Sequence, residues 1–132
     1  AAGFVSPMSA LVIGLMAGSI CYIALNVKGR FGYDDSLDAF GVHGVGGVFG
    51  VFATGLFAQT FINPAGSNGL FFGNIALAKT QMIAILVTAA YSFVMTVVLL
   101  KIIDKLVGLR VNEESEVNGL DISQHGESGY SF

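Results

Sequence analysis

Three long apolar stretches constrain this chain more than any other feature of its sequence. They cover 4–27, the residues that follow Asp38, and 80–100, and each approaches or exceeds the roughly 20 residues that a membrane-spanning helix needs. With 54% hydrophobic residues, 11% charged residues and a mean hydropathy of +0.74, the chain is too apolar for a water-exposed surface. We therefore predict an all-α membrane protein with three transmembrane helices and the lipid bilayer as its solvent.

A cluster of turn-forming residues sets the end of the second span. Residues 63–69 read Asn-Pro-Ala-Gly-Ser-Asn-Gly, a composition that favours a turn and ends the span near Ala58 or Gln59. We place the helices at about 5–27, 36–58 and 80–107. Residues 1–110 then form the membrane domain, and residues 111–132 form a tail.

The basic residues predict the orientation of the spans. Lys28 and Arg30 follow the first span, and Lys101, Lys105 and Arg110 lie at the end of the third, whereas the loop between spans two and three offers only Lys79 at its far end. The positive-inside rule places the 28–38 loop and the C-terminus in the cytoplasm. Because the sequence starts at Ala1 without an initiator Met or a signal-peptide n-region, we expect the C-terminal part of a longer protein.

His43 is the only ionisable residue between Ala39 and Ala78. A titratable side chain at membrane depth is costly, so it marks a functional site by default, whereas a lone histidine in a soluble core is more often structural. Its helical neighbours are mostly small, which leaves the imidazole against a tightly packed helix or in a narrow cavity. We predict that His43 serves function.

The second span is unusually rich in glycine. Gly46 and Gly50 form a small-xxx-small pair with Gly47 beside them, a pattern that allows the backbone of a neighbouring helix to approach closely in lipid. We predict that these three residues pack this helix deep in a bundle.

Two acidic residues precede the second span. Asp35 as N-cap, with Asp38 three residues later, approximates a capping box and complements the positive end of the helix dipole. Helix initiation alone accounts for these residues, and a further role in holding a pore helix in register stays open.

The sequence contains little that favours catalysis or cofactor binding. Cys21 is the single cysteine, so an internal disulfide is excluded, and its apolar surroundings favour packing. Nucleotide-binding glycine motifs are absent. We expect no catalytic residue, cofactor, metal site or nucleic-acid partner.

Two motifs identify a family. Residues 33–47, Tyr-Asp-Asp-Ser-Leu-Asp-Ala-Phe-Gly-Val-His-Gly-Val-Gly-Gly, resemble the late pore helix of the ammonium transporter family, in the Amt branch of the Amt/Rh proteins. The tail independently resembles that family's cytoplasmic C-terminus, through Gly108-Leu109-Arg110-Val111, the acidic run 113–116, Gly119-Leu120-Asp121 and His125-Gly126-Glu127. The match runs through the entire chain in order.

This resemblance implies a larger assembly. Amt proteins have eleven spans and assemble as homotrimers with one pore per subunit, so these would be the ninth, tenth and eleventh spans of an eleven-helix transporter in the plasma or inner membrane. By position, His43 matches the second of the paired pore histidines and Ala39 matches a pore-lining residue. Asp35 and Asp38 match the acids at the start of that pore helix.

The implied activity is transport of ammonium or ammonia. An ammonium ion at the centre of the bilayer costs about 3 kcal/mol on insertion scales, a penalty that ammonia avoids. A pore lined by apolar groups and neutral imidazoles could remove a proton at the entrance and pass ammonia. Whether the net cargo is ammonia or ammonium stays open.

The tail reads either as a solvated acidic segment or as a docking surface. It carries five carboxylates and no Lys or Arg. In the family this tail couples neighbouring subunits, and PII-type signal proteins dock nearby to close the pore. Ser123 matches a region that is phosphorylated in plant relatives. The predicted regulatory residues are Gly119, Leu120, Asp121, Ser123, His125, Gly126 and Glu127.

Two rival functions remain from the sequence. The first is an ammonium sensor with a transporter-like membrane domain, against which the absence of a signalling domain after the tail argues. The second is a membrane-embedded enzyme, which would need a nucleophile or metal cluster beside His43 that no span in this chain supplies.

Overall fold

The computed structural model describes residues 1–129 and places them in helices and turns, without a strand in that part of the chain. Three helices are long and apolar enough to cross a membrane, Pro7–Phe31, Phe40–Phe57 and Ile75–Val107. We name the first α1. The second comprises a π-helical segment Phe40–Val45, here the His43 turn, followed by α2, Gly46–Phe57. The third is α3, Ile75–Val107, and a short helix α4 follows at Glu113–Asn118.

The chain divides into two compact units, Ala1–Ala89 and the remainder from Ala90. The first unit contains α1, the His43 turn, α2, a 3-10 turn at Leu70–Phe72 and the first part of α3. The second contains the rest of α3, α4 and a second π-helical turn at Asp121–His125.

Helix α1 has defined signals at both ends. The Ser6 hydroxyl accepts a hydrogen bond from the Ser9 N–H at 3.3 Å, and Pro7 takes the first position, where its missing N–H has no cost. At the other end Gly32 has φ +62° and its N–H donates to the Lys28 carbonyl at 3.2 Å, as in a left-handed cap. The helix thus ends at Phe31, four residues beyond the expected end at 27. Its last turn is polar and carries Lys28, and the helix continues until the Gly32 cap stops it.

The second and third spans begin at different residues from those expected. Asp38 has φ +56°, which interrupts the helical backbone, so the second helix starts after it instead of at 36. Helix α3 starts at Ile75 instead of about 80, and there the Asn74 side chain accepts the Ala76 N–H at 3.0 Å. Both helix starts depend on local backbone and side-chain geometry, which a hydropathy average does not include.

The connection between α2 and α3 is held by specific hydrogen bonds. Asn68 accepts from the Thr60 N–H at 2.8 Å, and the Gln59 N–H donates to the Phe4 carbonyl at 2.8 Å. Gly69 lies so close to the end of α2 that a Cβ there would come within 2.4 Å of the Leu56 carbonyl oxygen. This close approach requires glycine and closes the loop against the helix end.

The core of the first unit is small. Val5, Ile13 and Ala53 are buried together, with Phe49 and Phe57 packed against them. Phe57 also makes an edge-to-face contact with Phe71, with ring centroids 5.0 Å apart. Most other large apolar side chains are exposed, as expected where lipid or further helices cover them.

Candidate functional site

His43 lies within a π-helical turn at the start of the second span. This turn covers Phe40–Val45, and the Gly46 N–H that follows it donates to the carbonyl of His43 itself. A single π-turn within an α-helix is rare and frequently marks a functional site. The irregular backbone segment therefore includes the residue that the sequence selects, His43.

One face of the second helix presents His43 among small residues. Gly41 is buried and His43, two positions later, is exposed, so the two residues point to roughly opposite sides. Ala39 and Gly47 lie four residues on either side of His43, and Gly50 lies seven residues after it, so all share its face. A Cβ added at Gly47 or Gly50 would meet no atom within 4 Å. We call Ala39, His43, Gly47 and Gly50 the His43 strip.

The second span packs against α1 through two other glycines. A Cβ at Gly41 would come within 2.6 Å of Leu25 Cδ2, and one at Gly46 would come within 3.1 Å of Cys21 Sγ. The structure thus separates residues that the sequence grouped. Gly46 contacts α1, whereas an added Cβ at Gly47 or Gly50, on the strip, would point into open space in the described part of the chain.

The acidic residues before the His43 turn make contacts that the predicted capping box does not include. The Asp35 carboxylate accepts both the Ala39 N–H at 2.8 Å and the Phe40 N–H at 3.0 Å, which satisfies two free donors of the helix start. The Asp38 N–H donates to the Asp35 carbonyl at 3.0 Å, but the Asp38 side chain does not complete the predicted capping box. Its carboxylate pairs with the Lys28 ammonium, which also donates to the Asp35 carbonyl at 2.8 Å.

Sequence reasoning does not find the contacts that Lys28 and two aromatic residues make at the start of the second helix. In the sequence Lys28 serves only as an orientation signal, yet in the structure it connects the end of α1 to the residues before the second helix. Phe40 stacks edge-to-face on Tyr33 at 6.3 Å, and a Cβ at Gly44 would come within 2.9 Å of the Phe40 ring. The spacing of ten residues between Lys28 and Asp38 across a loop is the signal that could have indicated the ion pair.

The tail residues form a small ordered element. The Asn112 side chain accepts the Ser115 N–H at 2.9 Å and caps α4. The second π-turn begins at Asp121 and ends at His125, and Ser123 lies at its centre. The Ser123 hydroxyl donates to the Gly119 carbonyl at 2.8 Å. The other predicted regulatory residues lie at the ends of this turn: Gly119 with φ +87°, Leu120 as its N-cap, Gly126 with φ +63°, and Glu127, whose N–H donates to the Asp121 carbonyl at 2.9 Å.

Arg110 links the end of the third span to this element. Its guanidinium binds the Glu116 carboxylate through two parallel bonds, Nε to Oε1 at 2.7 Å and Nη2 to Oε2 at 2.9 Å. Bidentate pairs of this kind fix geometry as well as adding energy. The acidic tail therefore has its own fold around α4 within the second unit.

The chemical repertoire of the first unit is narrow. Within residues 1–129, no group of three His, Cys, Asp or Glu side chains is placed to hold a metal ion. The His43 strip offers one imidazole on a face of small, uncharged residues. Such a face can exchange hydrogen bonds with a small polar solute.

Three apolar helices long enough to cross a bilayer, in a described chain without strands, define an all-helical integral membrane protein. The chain belongs to the Ammonium Transporter Family, whose model matches residues 1–130. This confirms the family resemblance and the predicted all-α membrane fold.

Relatives and a solved structure agree with this assignment. The chain is 47% identical to an ammonium transporter from Bacillus subtilis over 131 residues, which covers 98% of this chain and 32% of that protein. It is also 47% identical to the ammonium transporter Amt1 from Archaeoglobus fulgidus, with 99% and 33% covered. The crystal structure of Mep2 from Saccharomyces cerevisiae superimposes with a TM-score of 0.79 at 31% identity, covering 86% of this chain and 27% of that one.

The chain thus spans about a third of the length of the curated relatives that it matches. These relatives are named transporters, not enzymes, which decides against the membrane-embedded enzyme. The names do not favour the sensor either.

Proposed function

We propose that this chain contributes to the transmembrane conduction of ammonium or ammonia, with His43 as a pore-lining residue. The observation that carries the proposal is the His43 strip, on which the one ionisable side chain of the span lies beside two glycines where an added Cβ would meet no atom of the described chain within 4 Å. Relatives named ammonium transporters supply the substrate.

The chemistry of the strip suits a small amine. None of its residues carries a carboxylate, so the strip offers an ammonium ion no compensating negative charge. An imidazole in its neutral form has one ring nitrogen that accepts and one that donates a hydrogen bond. It can therefore bind ammonia through either role while the small neighbours leave room for passage.

We propose further that these helices are the last three of an eleven-span subunit, followed by a cytoplasmic tail. The support is the length of the relatives, about three times that of this chain, together with the resemblance of residues 33–47 to a late pore helix. The missing spans would then cover the strip and complete the pore wall.

The same resemblance supports a homotrimer in the plasma or inner membrane. The basic residues near the ends of α1 and α3 favour a cytoplasmic C-terminus. The tail, folded around α4, is then available to neighbouring subunits and to a PII-type signal protein.

The test replaces His43 with Ala in the full-length transporter that contains this sequence, reconstituted in vesicles. We expect a change of at least about tenfold in ammonium transport or its selectivity, which corresponds to about 1.4 kcal/mol, with normal membrane abundance. The matched control is Val48→Ala, an exposed position on the same helix outside the strip. Transport by His43→Ala equal to that of Val48→Ala, in rate and selectivity, would reduce His43 to a packing residue.

A further inference from the structure

One face of α1 contacts the whole segment that carries His43. Cys21, Leu25 and Lys28 are spaced four and three residues apart and so share that face. Lys28 pairs with Asp38 before the His43 turn, Leu25 lies against Gly41 within it, and Cys21 lies against Gly46 directly after it. Helix α1 thus contacts this segment before, within and directly after the His43 turn.

The backbone of the His43 turn departs from regular α-helical bonding at Gly46. In an α-helix the Val42 carbonyl would accept the Gly46 N–H four residues later. Here that N–H donates to the His43 carbonyl instead. The Val42 carbonyl therefore does not receive the donor that a regular helix would supply.

The thiol of Cys21 lies at this carbonyl. Its Sγ is 3.8 Å from the Val42 oxygen, within the range for a sulfur donor, and the S–H is a weak donor. The same sulfur contacts the Gly46 position, where a Cβ would be 3.1 Å away. One sulfur atom therefore touches the residue before His43 and the first residue of α2.

We propose that Cys21 is a positioning residue for His43, because its thiol supports the Val42 carbonyl in the π-turn that directs the imidazole onto the strip. This inference rests on the proposed pore role of His43. It does not require reactivity of the thiol, and no covalent step is involved. Loss of the donor would let the turn relax toward regular α-helix and rotate His43 relative to the strip.

The experiment compares three variants of the full-length transporter in vesicles: Cys21→Ala, Cys21→Ser and Ser19→Ala. Ser19 is the matched control, because it lies on the same helix and donates its hydroxyl to the Leu15 carbonyl of that helix at 3.0 Å. We expect Cys21→Ala to lower transport about two- to fivefold, the size of one modest hydrogen bond, and to change the ratio of methylammonium to ammonium transport. Cys21→Ser, which keeps a donor of shorter reach, should lie between wild type and Cys21→Ala, and Ser19→Ala should match wild type.

Two spectroscopic measurements report the geometry directly. The ¹⁵N chemical shifts of the His43 ring should change in Cys21→Ala and stay unchanged in Ser19→Ala. The infrared S–H stretch isolated by subtracting the Cys21→Ala spectrum from that of wild type should lie below the frequency of a free thiol.

Several results would overturn the proposal. A free-thiol frequency in the infrared spectrum would do so, as would wild-type transport and unchanged ring shifts in Cys21→Ala. Equal transport defects in Cys21→Ser and Cys21→Ala would show that the donor does not matter. Loss of membrane abundance in Cys21→Ala would make Cys21 a packing residue. Failure of the proposed function is distinguishable from these, because it would appear as normal transport by His43→Ala while the infrared and ring-shift measurements still report the contact.

Discussion

At the scale of single residues, two adjacent glycines of the second helix have different surroundings. Gly46 faces Cys21 of α1, whereas Gly47 lies on the His43 strip with no atom of the described chain within 4 Å of an added Cβ. Glycine at either position costs about 0.5–1 kcal/mol of helix stability relative to Ala. The reason for accepting that cost is close packing at Gly46 and an unobstructed face at Gly47.

The same substitution at both positions tests this difference. Gly46→Leu should lower the stability of the protein in detergent by about 1–3 kcal/mol through overpacking against α1. Gly47→Leu should leave stability and assembly intact and suppress ammonium transport, because its side chain would fill the face beside His43. The measurements are thermal unfolding and vesicle transport.

The pair is its own control, since the gain in helix propensity from Gly to Leu is common to both variants. Equal loss of stability in both would show that the strip is packed against another helix. Full transport by Gly47→Leu would remove the strip from the pore wall.

At the scale of elements, the start of the second helix depends on Asp35. Its carboxylate binds two N–H groups that the first turn would otherwise leave free, and its carbonyl accepts from Lys28 of α1. Asp35 therefore both caps the second helix and connects it to α1. The positive φ of Asp38 places the chain in a conformation that only such local contacts hold.

Replacement of Asp35 by Ala should destabilise the protein by about 0.5–2 kcal/mol, the range for loss of an N-cap. Thermal unfolding of the purified protein measures this. Ser36→Ala is the matched control, because Ser36 is exposed and its hydroxyl donates to Asp34 at 3.4 Å instead of to the helix. If the two variants unfold at the same temperature, the cap contributes nothing to stability.

At the scale of the whole molecule, the tail forms an ordered element within the second unit. Arg110 pairs with Glu116, and the Ser123 hydroxyl donates to the carbonyl oxygens of Gly119 and Ser115, so α4 and the turn after it hold together. Its carboxylates follow the last span and cannot line a pore at hydrocarbon depth. The regulatory role that we propose for the tail rests on this position and on the family resemblance.

Truncation after Arg110 should therefore preserve membrane insertion and reduce transport only in part, since the tail is proposed to couple subunits. It should also weaken capture of a PII-type protein. Transport and pull-down are compared for full-length and truncated protein at equal membrane abundance. Indistinguishable results in both assays would leave the tail as a solvated appendage.

The sequence by itself determined the class of protein and its three spans, and it selected His43 as the residue whose function is to be tested. Hydropathy is a sum over neighbouring residues, and the cost of an ionisable group in lipid needs no partner to be recognised. The motif at 33–47 was specific enough to indicate the family that the comparisons confirm.

Only the tertiary structure decided which glycine meets which surface, where the second helix begins and how the His43 backbone turns. Gly46, Gly47 and Gly50 are equivalent in a pattern of small residues, and contact with Cys21 is what distinguishes the first from the other two. The π-turn likewise becomes visible only in its backbone bonds, and its contact with α1 joins Cys21 to Val42, 21 residues apart. Such contacts join residues that are distant in sequence, so no local pattern encodes them.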